Sequence, residues 1–296
     1  MVEQGWKNMI DLDVSGNKLT SSLPSNLWSS MPNLEVVDVH NNELVGAIPE
    51  IKAVHEKVRF VAVQSNAMDR GIPDSINKLV NLAHLDVSSN TMDLSLPSSI
   101  NQLSNLRSLY IGGNNNLNEQ PIPAVLEGMT NLRELSMKQS KLIGTIPRFL
   151  GRMTNLKVLD LDSNKLDGSI PSELGRLTNI NTLMLNRNEL TGTIPASFAS
   201  LDTIDLLLLD GNHLSGTADA ICSTASARAP TFFATDCGGT PEELEIDCAC
   251  CTLCCTDTEP SCNNLDWNIN LDGIYEYDFQ RVAYKFSQNI LAEEQP

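Results

Sequence analysis

Residues 156–177 read LKVLDLDSNKLDGSIPSELGRL, and this one stretch contains the features that decide the fold. Leu159 and Leu161 alternate with polar residues, which predicts a short β-strand with one buried face. Asn164 follows at a position where the chain must turn inward. Pro171 begins the returning half, where a fixed φ and the lack of an N–H donor suit a short helical turn on an outer surface.

The same pattern recurs about every 24 residues, and nine copies are in register. They begin at Met9, Leu34, Val58, Leu82, Leu106, Leu132, Leu156, Ile180 and Ile204. One strand cannot bury its apolar face alone, but stacked copies bury it in a continuous core. The ninth position is Asn in every copy except the sixth, which has Ser140. We expect these amides to bond to backbone groups that the inward turn would otherwise leave buried and unpaired.

The consensus L-x-x-L-x-L-x-x-N-x-L-x-G-x-I-P resembles the plant-type leucine-rich repeat, and the resemblance covers residues 9–217. It implies a leucine-rich-repeat solenoid of the α/β type. In that fold a right-handed superhelix carries a parallel inner β-sheet, and short helical or 3-10 turns form the convex side. The resemblance also implies recognition of a protein or peptide ligand on the concave face. Proteins with this repeat include receptor-like kinase and receptor-like protein ectodomains and secreted inhibitors of cell-wall-degrading enzymes.

All the cysteines fall in one segment after the repeats. They are Cys222, Cys237, Cys248, Cys250, Cys251, Cys254, Cys255 and Cys262. An even number in a segment with few apolar residues favours disulfides that staple a C-terminal cap, although the spacing leaves the pairing open. The alternative is zinc, because Cys251 and Cys254 have the spacing of a metal knuckle. The segment resembles the C-terminal cysteine module of algal leucine-rich-repeat receptor-like proteins.

These patterns divide the chain into four parts. Residues 1–8 are an N-terminal remnant, 9–217 are the nine repeats, 218–262 are the disulfide-rich cap, and 263–296 are an acidic and aromatic tail. The net charge of −17 makes nucleic acid an unfavourable partner. Neither a signal peptide nor an apolar stretch long enough for a membrane helix is present, so we expect no direct membrane insertion by this fragment.

The functional residues should lie on the inner strands, at the polar positions that flank the buried leucines. We expect an aromatic patch in repeats three to five and an acidic patch, beside exposed apolar residues, in repeats seven to nine. Exposed aromatic side chains on a rigid surface are typical recognition anchors, and acidic rows favour basic ligands. The candidate ligand-binding residues are Phe60, His84, Tyr110, Lys138, Asp160, Asp162, Met184, Arg187, Leu208 and Asp210.

No catalytic motif accompanies the repeats: the chain has no HExxH, no phosphate-binding glycine loop and no histidine tied to a nucleophile. We therefore predict a non-enzymatic recognition module with no cofactor and no metal. The leading hypothesis is the extracellular or cell-surface ectodomain of a receptor-like protein in signalling or defence, for which a co-receptor is a further candidate partner. The alternatives are a secreted inhibitor of a cell-wall-degrading enzyme and an intracellular scaffold with a zinc-bound cysteine cluster.

Overall fold

The structure is a computed structural model that describes residues 6–93, 95–114, 118–222, 230–237 and 246–255. The acidic and aromatic tail predicted for residues 263–296 lies outside the described residues, and so does Cys262. The described part of the chain forms a solenoid, in which each coil contributes one short strand to a long parallel sheet.

The inner sheet has eleven strands, and every neighbouring pair of strands along the chain is parallel. Its strands are Asp11–Asp13, Val36–Asp38, Phe60–Ala62, His84–Asp86, Ser108–Tyr110, Glu134–Ser136, Val158–Asp160, Thr182–Met184, Leu206–Leu208, Phe232–Asp236 and Leu253–Cys255. The first nine come from the nine predicted copies, so the repeat pattern located each of them. The last two come from the cysteine segment, where the sequence pattern predicts no strand. The sheet therefore crosses residue 217, and the division of the chain there stays a prediction.

The leucines of the repeat form the core. In the seventh copy Leu156, Leu159, Leu161, Leu166 and Leu174 are all 0% exposed. Their counterparts in the other copies belong to the same continuous cluster, which runs from the first coil into the cysteine segment. Burying one such side chain stabilises the fold by about 1.5–3 kcal/mol, so stacking is the main stabilising interaction of the solenoid.

The asparagine column pairs the backbone of the inward turns. The Asn164 amide donates to the carbonyl oxygens of Met137, Leu161 and Asp162 at 3.0, 2.9 and 3.2 Å. Its Oδ1 accepts the backbone N–H of Leu142 at 3.0 Å. Asn42, Asn66, Asn90, Asn114, Asn188 and Asn212 repeat this arrangement, each accepting an N–H from the preceding coil. The structural role predicted for the column is confirmed by these bonds.

The convex side carries short helices, and the six 3-10 helices of the described residues each begin directly after a repeated proline. The α-helices are Leu27–Ser30 and Asp219–Cys222, and the 3-10 helices are Asp74–Lys78, Ser98–Gln102, Ala124–Gly128, Arg148–Arg152, Ser172–Arg176 and Ala196–Ser200. Pro171 has φ −63° and precedes one of them, as its fixed ring predicts. Gly168 has φ +69°, a left-handed conformation that favours glycine at this step of the repeat.

Smaller parallel sheets line the edge between the inner and convex sides. One contains Thr20–Ser21, Glu43–Gly46 and Ala67–Met68; a second contains Ile143–Thr145, Lys165–Ser169, Glu189–Gly192 and His213–Leu214; a third pairs Gly216–Thr217 with Ile246–Asp247. In the described part of the chain, no helix is long and apolar enough to cross a membrane.

The cysteine segment is stapled by disulfides. Three bonds join Cys222 to Cys250, Cys237 to Cys254 and Cys248 to Cys251. Cys255 is also disulfide-bonded. The sulfur atoms of Cys222, Cys248 and Cys250 lie within 4.8 Å of one another, which is a spacing that thiolates could use to hold a metal. A sulfur in a disulfide is not a thiolate, so the structure favours the disulfide interpretation over the zinc interpretation.

Replacing Asn164 with alanine should lower the free energy of unfolding by about 2–4 kcal/mol, because buried backbone groups of two coils lose their partners. The control is Asn155→Ala, which removes an exposed amide that makes one bond, to the carbonyl of Thr130. We expect less than about 1 kcal/mol from the control. Urea unfolding followed by circular dichroism measures both, and equal losses would contradict the role assigned to the column.

Peptide mapping of unreduced protein should recover the three crosslinks named above, and denatured protein should titrate no free thiol. The same sample should contain no stoichiometric zinc when its metal content is measured. Free thiols together with one zinc ion per chain would instead favour the metal-bound cap.

Candidate functional site on the inner face

Three rows of side chains run along the inner face. Within a row, successive residues lie on neighbouring strands, which are about 4.8 Å apart. The first row contains Phe60, His84, Ser108 and Glu134, and the second contains Asp86, Tyr110, Ser136, Asp160, Met184 and Leu208. The third row lies two residues beyond the second and contains Gln64, Lys138, Asp162, Asn186 and Asp210. Backbone bonds from Ser163 to Asn186 and from Arg187 to Asp210 keep the third row in register.

An aromatic cluster of Phe60, His84 and Tyr110 crosses three strands. The rings of Phe60 and His84 are stacked with centroids 4.3 Å apart, and the rings of His84 and Tyr110 are 5.3 Å apart at 56°. Burial lowers the pKa of His84 to about 3, so its imidazole is neutral at physiological pH. The cluster is therefore an uncharged group of three packed side chains.

Polar groups anchor the far side of this aromatic cluster. The buried Glu134 carboxylate accepts hydrogen bonds from the Tyr110 hydroxyl and from Ser108 Oγ, the latter at 3.0 Å. Burial and the neighbouring Glu134 charge raise the pKa of Tyr110 well above its usual value, so the phenol remains a donor. On the adjacent strand Asp86 accepts Ser88 Oγ at 2.6 Å, and burial raises the Asp86 pKa to about 6.

An apolar cluster occupies the inner face at the other end of the sheet. Met184, Leu208 and Ala234 pack together separately from the solenoid core, and the half-buried Leu206 and Phe232 pack against them, together with Leu253. The apolar cluster continues the second row across the last strands. It therefore extends the inner face into the coils of the cysteine segment.

An acidic cluster of Asp160, Asp162 and Asp210 adjoins the apolar cluster. The Arg187 guanidinium donates two hydrogen bonds to the Asp162 carboxylate, from Nε to Oδ1 at 2.6 Å and from Nη2 to Oδ2 at 2.5 Å. Asp160 accepts the hydroxyl of Ser136 at 2.9 Å. Asp162 is thus paired with a cation, whereas Asp160 and Asp210 are buried carboxyls.

Burial perturbs two of these carboxyls strongly. The pKa of Asp160 rises to about 7, first through burial and then through the Asp162 charge, while the charge of Lys138 opposes the rise. The pKa of Asp210 also rises to about 7, through burial and then the Asp236 charge. A buried carboxyl with a raised pKa costs stability when it is ionised, and such groups are concentrated at functional sites.

The structure brings the predicted residues together in two groups. The His84 ring contacts both Phe60 and Tyr110, so these three predicted residues form one cluster. The second group contains Met184 and Leu208, which pack together, and the adjoining acidic cluster. Arg187 and Lys138 lie beside the carboxyls of that cluster. The exposure expected for Phe60, Tyr110, Met184 and Leu208 was wrong, because all four are buried. Neighbouring strands of the inner sheet, which form the rungs of the solenoid, are close together. Large side chains on adjacent rungs therefore cover each other, and only parts of their edges meet solvent.

Several inner-face residues were missed from the sequence. Glu134 occupies the first row like Phe60 and His84, so a reading of all three rows would have found it. Phe232 and Asp236 continue the first and third rows on a strand that follows no repeat pattern. That strand pairs in parallel with Leu206–Leu208, and Cys237, directly after it, is bonded to Cys254.

Family profiles agree with the geometry. The profile described as "Leucine-rich repeat region" matches residues 20–170, which is 151 of the 296 residues. The chain belongs to the leucine-rich-repeat family. Two further profiles of the family match residues 154–214 and residues 8–30.

Solved structures similar to this leucine-rich-repeat chain include plant receptors. The Arabidopsis receptor kinase HAESA, in complex with the peptide hormone IDA and the co-receptor SERK1, is 28% identical with a TM-score of 0.66; the match covers 70% of this chain and 35% of HAESA. The plant peptide hormone receptor RGFR1, in complex with RGF2, is 29% identical with a TM-score of 0.65, covering 76% of this chain and 36% of that one. The complex PEPR1-AtPEP1 is 27% identical with a TM-score of 0.61, covering 82% and 42%.

This leucine-rich-repeat chain thus spans less than half the length of these receptors. The neighbours and the family support the prediction of a non-catalytic interaction module. They also support the resemblance to plant-type ectodomains and the solenoid fold.

Stability should fall as pH rises from about 4 to about 7, because folded Asp210 has a pKa near 7 while its ordinary value is 3.8. In this window the folded state holds a proton that the unfolded state releases, so higher pH favours unfolding. Asp210→Asn should raise the Tm at pH 8 by roughly 3–5 °C and have little effect at pH 4. The control Asp202→Asn, at an exposed carboxyl, should change neither value. Equal Tm shifts for Asp210→Asn at both pH values would contradict the burial argument.

Proposed function

We propose that this leucine-rich-repeat chain is the ligand-recognition part of an extracellular or cell-surface receptor-like protein that acts in signalling or defence. The ligand is a protein or peptide and binds the inner face. Phe60, His84 and Tyr110 at one end, and Lys138, Asp160, Asp162, Met184, Arg187, Leu208 and Asp210 at the other, are the proposed contact residues. A co-receptor then engages the ligand-bound complex.

The observation that carries this proposal is the composition of the inner face. The solenoid is stabilised by its leucine core, and nothing in the repeat requires buried carboxyls such as Asp160 and Asp210 on the opposite side of the sheet. Such groups reduce stability, and folded proteins retain unfavourable groups chiefly where function requires them. The apolar cluster stands beside these carboxyls, the aromatic cluster lies at the other end of the same face, and a recognition surface combines the same elements.

The similar structures and the disulfides support the same proposal. HAESA, RGFR1 and PEPR1 are similar folds described in complex with IDA, RGF2 and AtPEP1, respectively. The disulfides of the cysteine segment form and persist in oxidising compartments, which agrees with a place outside the cell.

A phage-displayed random dodecapeptide library, selected on the immobilised protein, supplies probes for a test. Two inner-face variants, Gln64→Arg and Lys138→Glu, change the charge near each end of the site. Two outer variants, Gln102→Arg and Lys157→Glu, make the same changes at exposed positions outside the three rows. We expect the Kd of selected peptides to rise at least tenfold for one of the inner variants and less than twofold for both outer variants.

The opposite pattern, with binding sensitive to the outer variants alone, would place recognition on another surface. Failure to select any peptide with a Kd below about 100 μM would also count against a peptide-binding inner face.

A further inference from the structure

Three neighbouring rungs of the third row carry Asp162, Asn186 and Asp210. Their side chains lie on the same face as Met184 and Leu208, because residues two apart on a strand point to the same side. The three side chains therefore form a short column of acceptor oxygens along the edge of the apolar cluster.

Two oxygens in this column have no hydrogen-bond partner. They are Asn186 Oδ1 and Asp210 Oδ1, and both belong to buried residues, which are 1% and 2% exposed. A buried acceptor without a donor costs about 1–3 kcal/mol, and more when the group is charged. Asn186 Oδ1 and Asp210 Oδ1, on adjacent rungs, would therefore each be stabilised by a hydrogen-bond donor.

The charge around the column points to a positively charged donor. Asp160, Asp162, Asp210 and Asp236 are four acidic groups, and Lys138 and Arg187 are the two basic groups beside them, so acidic groups outnumber basic ones around the column. Asp236 accepts the backbone N–H groups of Gly211 and Asn212, both at 2.9 Å, which fixes its carboxylate next to the Asp210 rung. A cation with several N–H groups would satisfy both the charge and the acceptors.

The geometry does not suit a metal ion. Among the described residues, the one group of histidine, cysteine and acidic ligand atoms that converges within 4.8 Å consists of Cys222, Cys248 and Cys250. The carboxylates of the column are spread along successive rungs. A planar group with donors on several edges fits such a spread better than a small spherical ion does.

The protein already contains an example of the required contact. Arg187 binds Asp162 through two N–H groups, one rung before the unpartnered oxygens. Its stem runs beside the next rung, where Arg187 Cγ lies 3.3 Å from the point at which a Cβ on Gly211 would stand. The Arg187 side chain is 29% exposed. A ligand would have to displace it to reach the buried oxygens of the next rungs.

We propose that Asn186 and Asp210 bind the guanidinium of an arginine in the ligand, and that Met184 and Leu208 bind an apolar side chain two positions before that arginine. The ligand's guanidinium makes at the Asp210 rung the contact that Arg187 makes with Asp162. Arginine has five donors in a planar fork, which suits one amide oxygen beside one carboxylate. The proposal rests on the proposed function, because it assigns the ligand chemistry of one end of that inner face.

The test uses acetyl-Leu-Ser-Arg-amide as the probe, added to ¹⁵N-labelled protein up to 10 mM. Its matched control is acetyl-Leu-Ser-citrulline-amide, which has nearly the same shape without the charge. We expect saturable shifts of the Asn186 side-chain amide and of the Gly211 backbone amide, with a Kd of about 1 mM for the arginine peptide. The citrulline peptide should bind at least tenfold more weakly.

Two variants locate the contact. Asp210→Asn removes the unpartnered charge and should weaken the arginine peptide at least tenfold, with no loss of Tm to suggest unfolding. Asp13→Asn removes an exposed carboxyl at the opposite end of the inner face and should change the Kd by less than twofold. Equal binding of both peptides, an unchanged Kd in Asp210→Asn, or no saturable shift by 10 mM would each overturn the proposal. Saturation of the same signals by 5 mM calcium chloride alone would assign the site to a metal instead.

The outcomes separate this inference from the function on which it rests. If dodecapeptides bind the inner face but show no dependence on arginine or on Asp210, the inference fails and the proposed function stands. If the arginine peptide binds at Asp210 while no dodecapeptide competes with it, the arginine site stands and the proposed function fails.

Discussion

The pairing of buried backbone groups by asparagine amides is the interaction on which the rest of this structure depends. Each inward turn places N–H and C=O groups where water cannot reach them, and one side chain serves groups from two coils. Because the bond from Oδ1 reaches the preceding coil, the column joins neighbouring coils as well as shaping each one. At the sixth copy Ser140 lacks an amide: its Oγ donates to the Lys138 carbonyl, and its N–H is bound at 2.9 Å by Asn164 Oδ1, which also accepts the N–H of Leu142.

The regular scaffold explains how the inner face can tolerate unfavourable chemistry. The leucine core and the asparagine column use only the positions that point into the solenoid core. The side chains on the inner face are therefore unconstrained by stacking. Buried carboxyls, a neutral histidine and stacked rings can accumulate there at a cost that the core offsets. Because the strands are in register, residues about 24 apart in the sequence become neighbours on adjacent strands.

The nine-copy repeat made most of the fold predictable. It located nine inner strands, the convex turns after proline and the role of the Asn residues, because each depends on local sequence and a fixed period. The partners of Asp162 and Tyr110 were not predictable in the same way. Arg187 and Glu134 were visible in the sequence, but which charges pair depends on side-chain reach across rungs. Phe232 and Asp236 could not be placed at all, since their strand follows no repeat pattern.

The bond between Cys237 and Cys254 ties together the last two strands of the inner sheet. Asp236 lies directly before Cys237 and holds the backbone of Gly211 and Asn212, so this covalent link also supports the rung that carries Asp210. The oxidation state of the terminal coils and the shape of the acidic end are consequently not independent. Protein made in a reducing cytosol, or assayed with dithiothreitol, would present a different acidic end from protein folded along a secretory route.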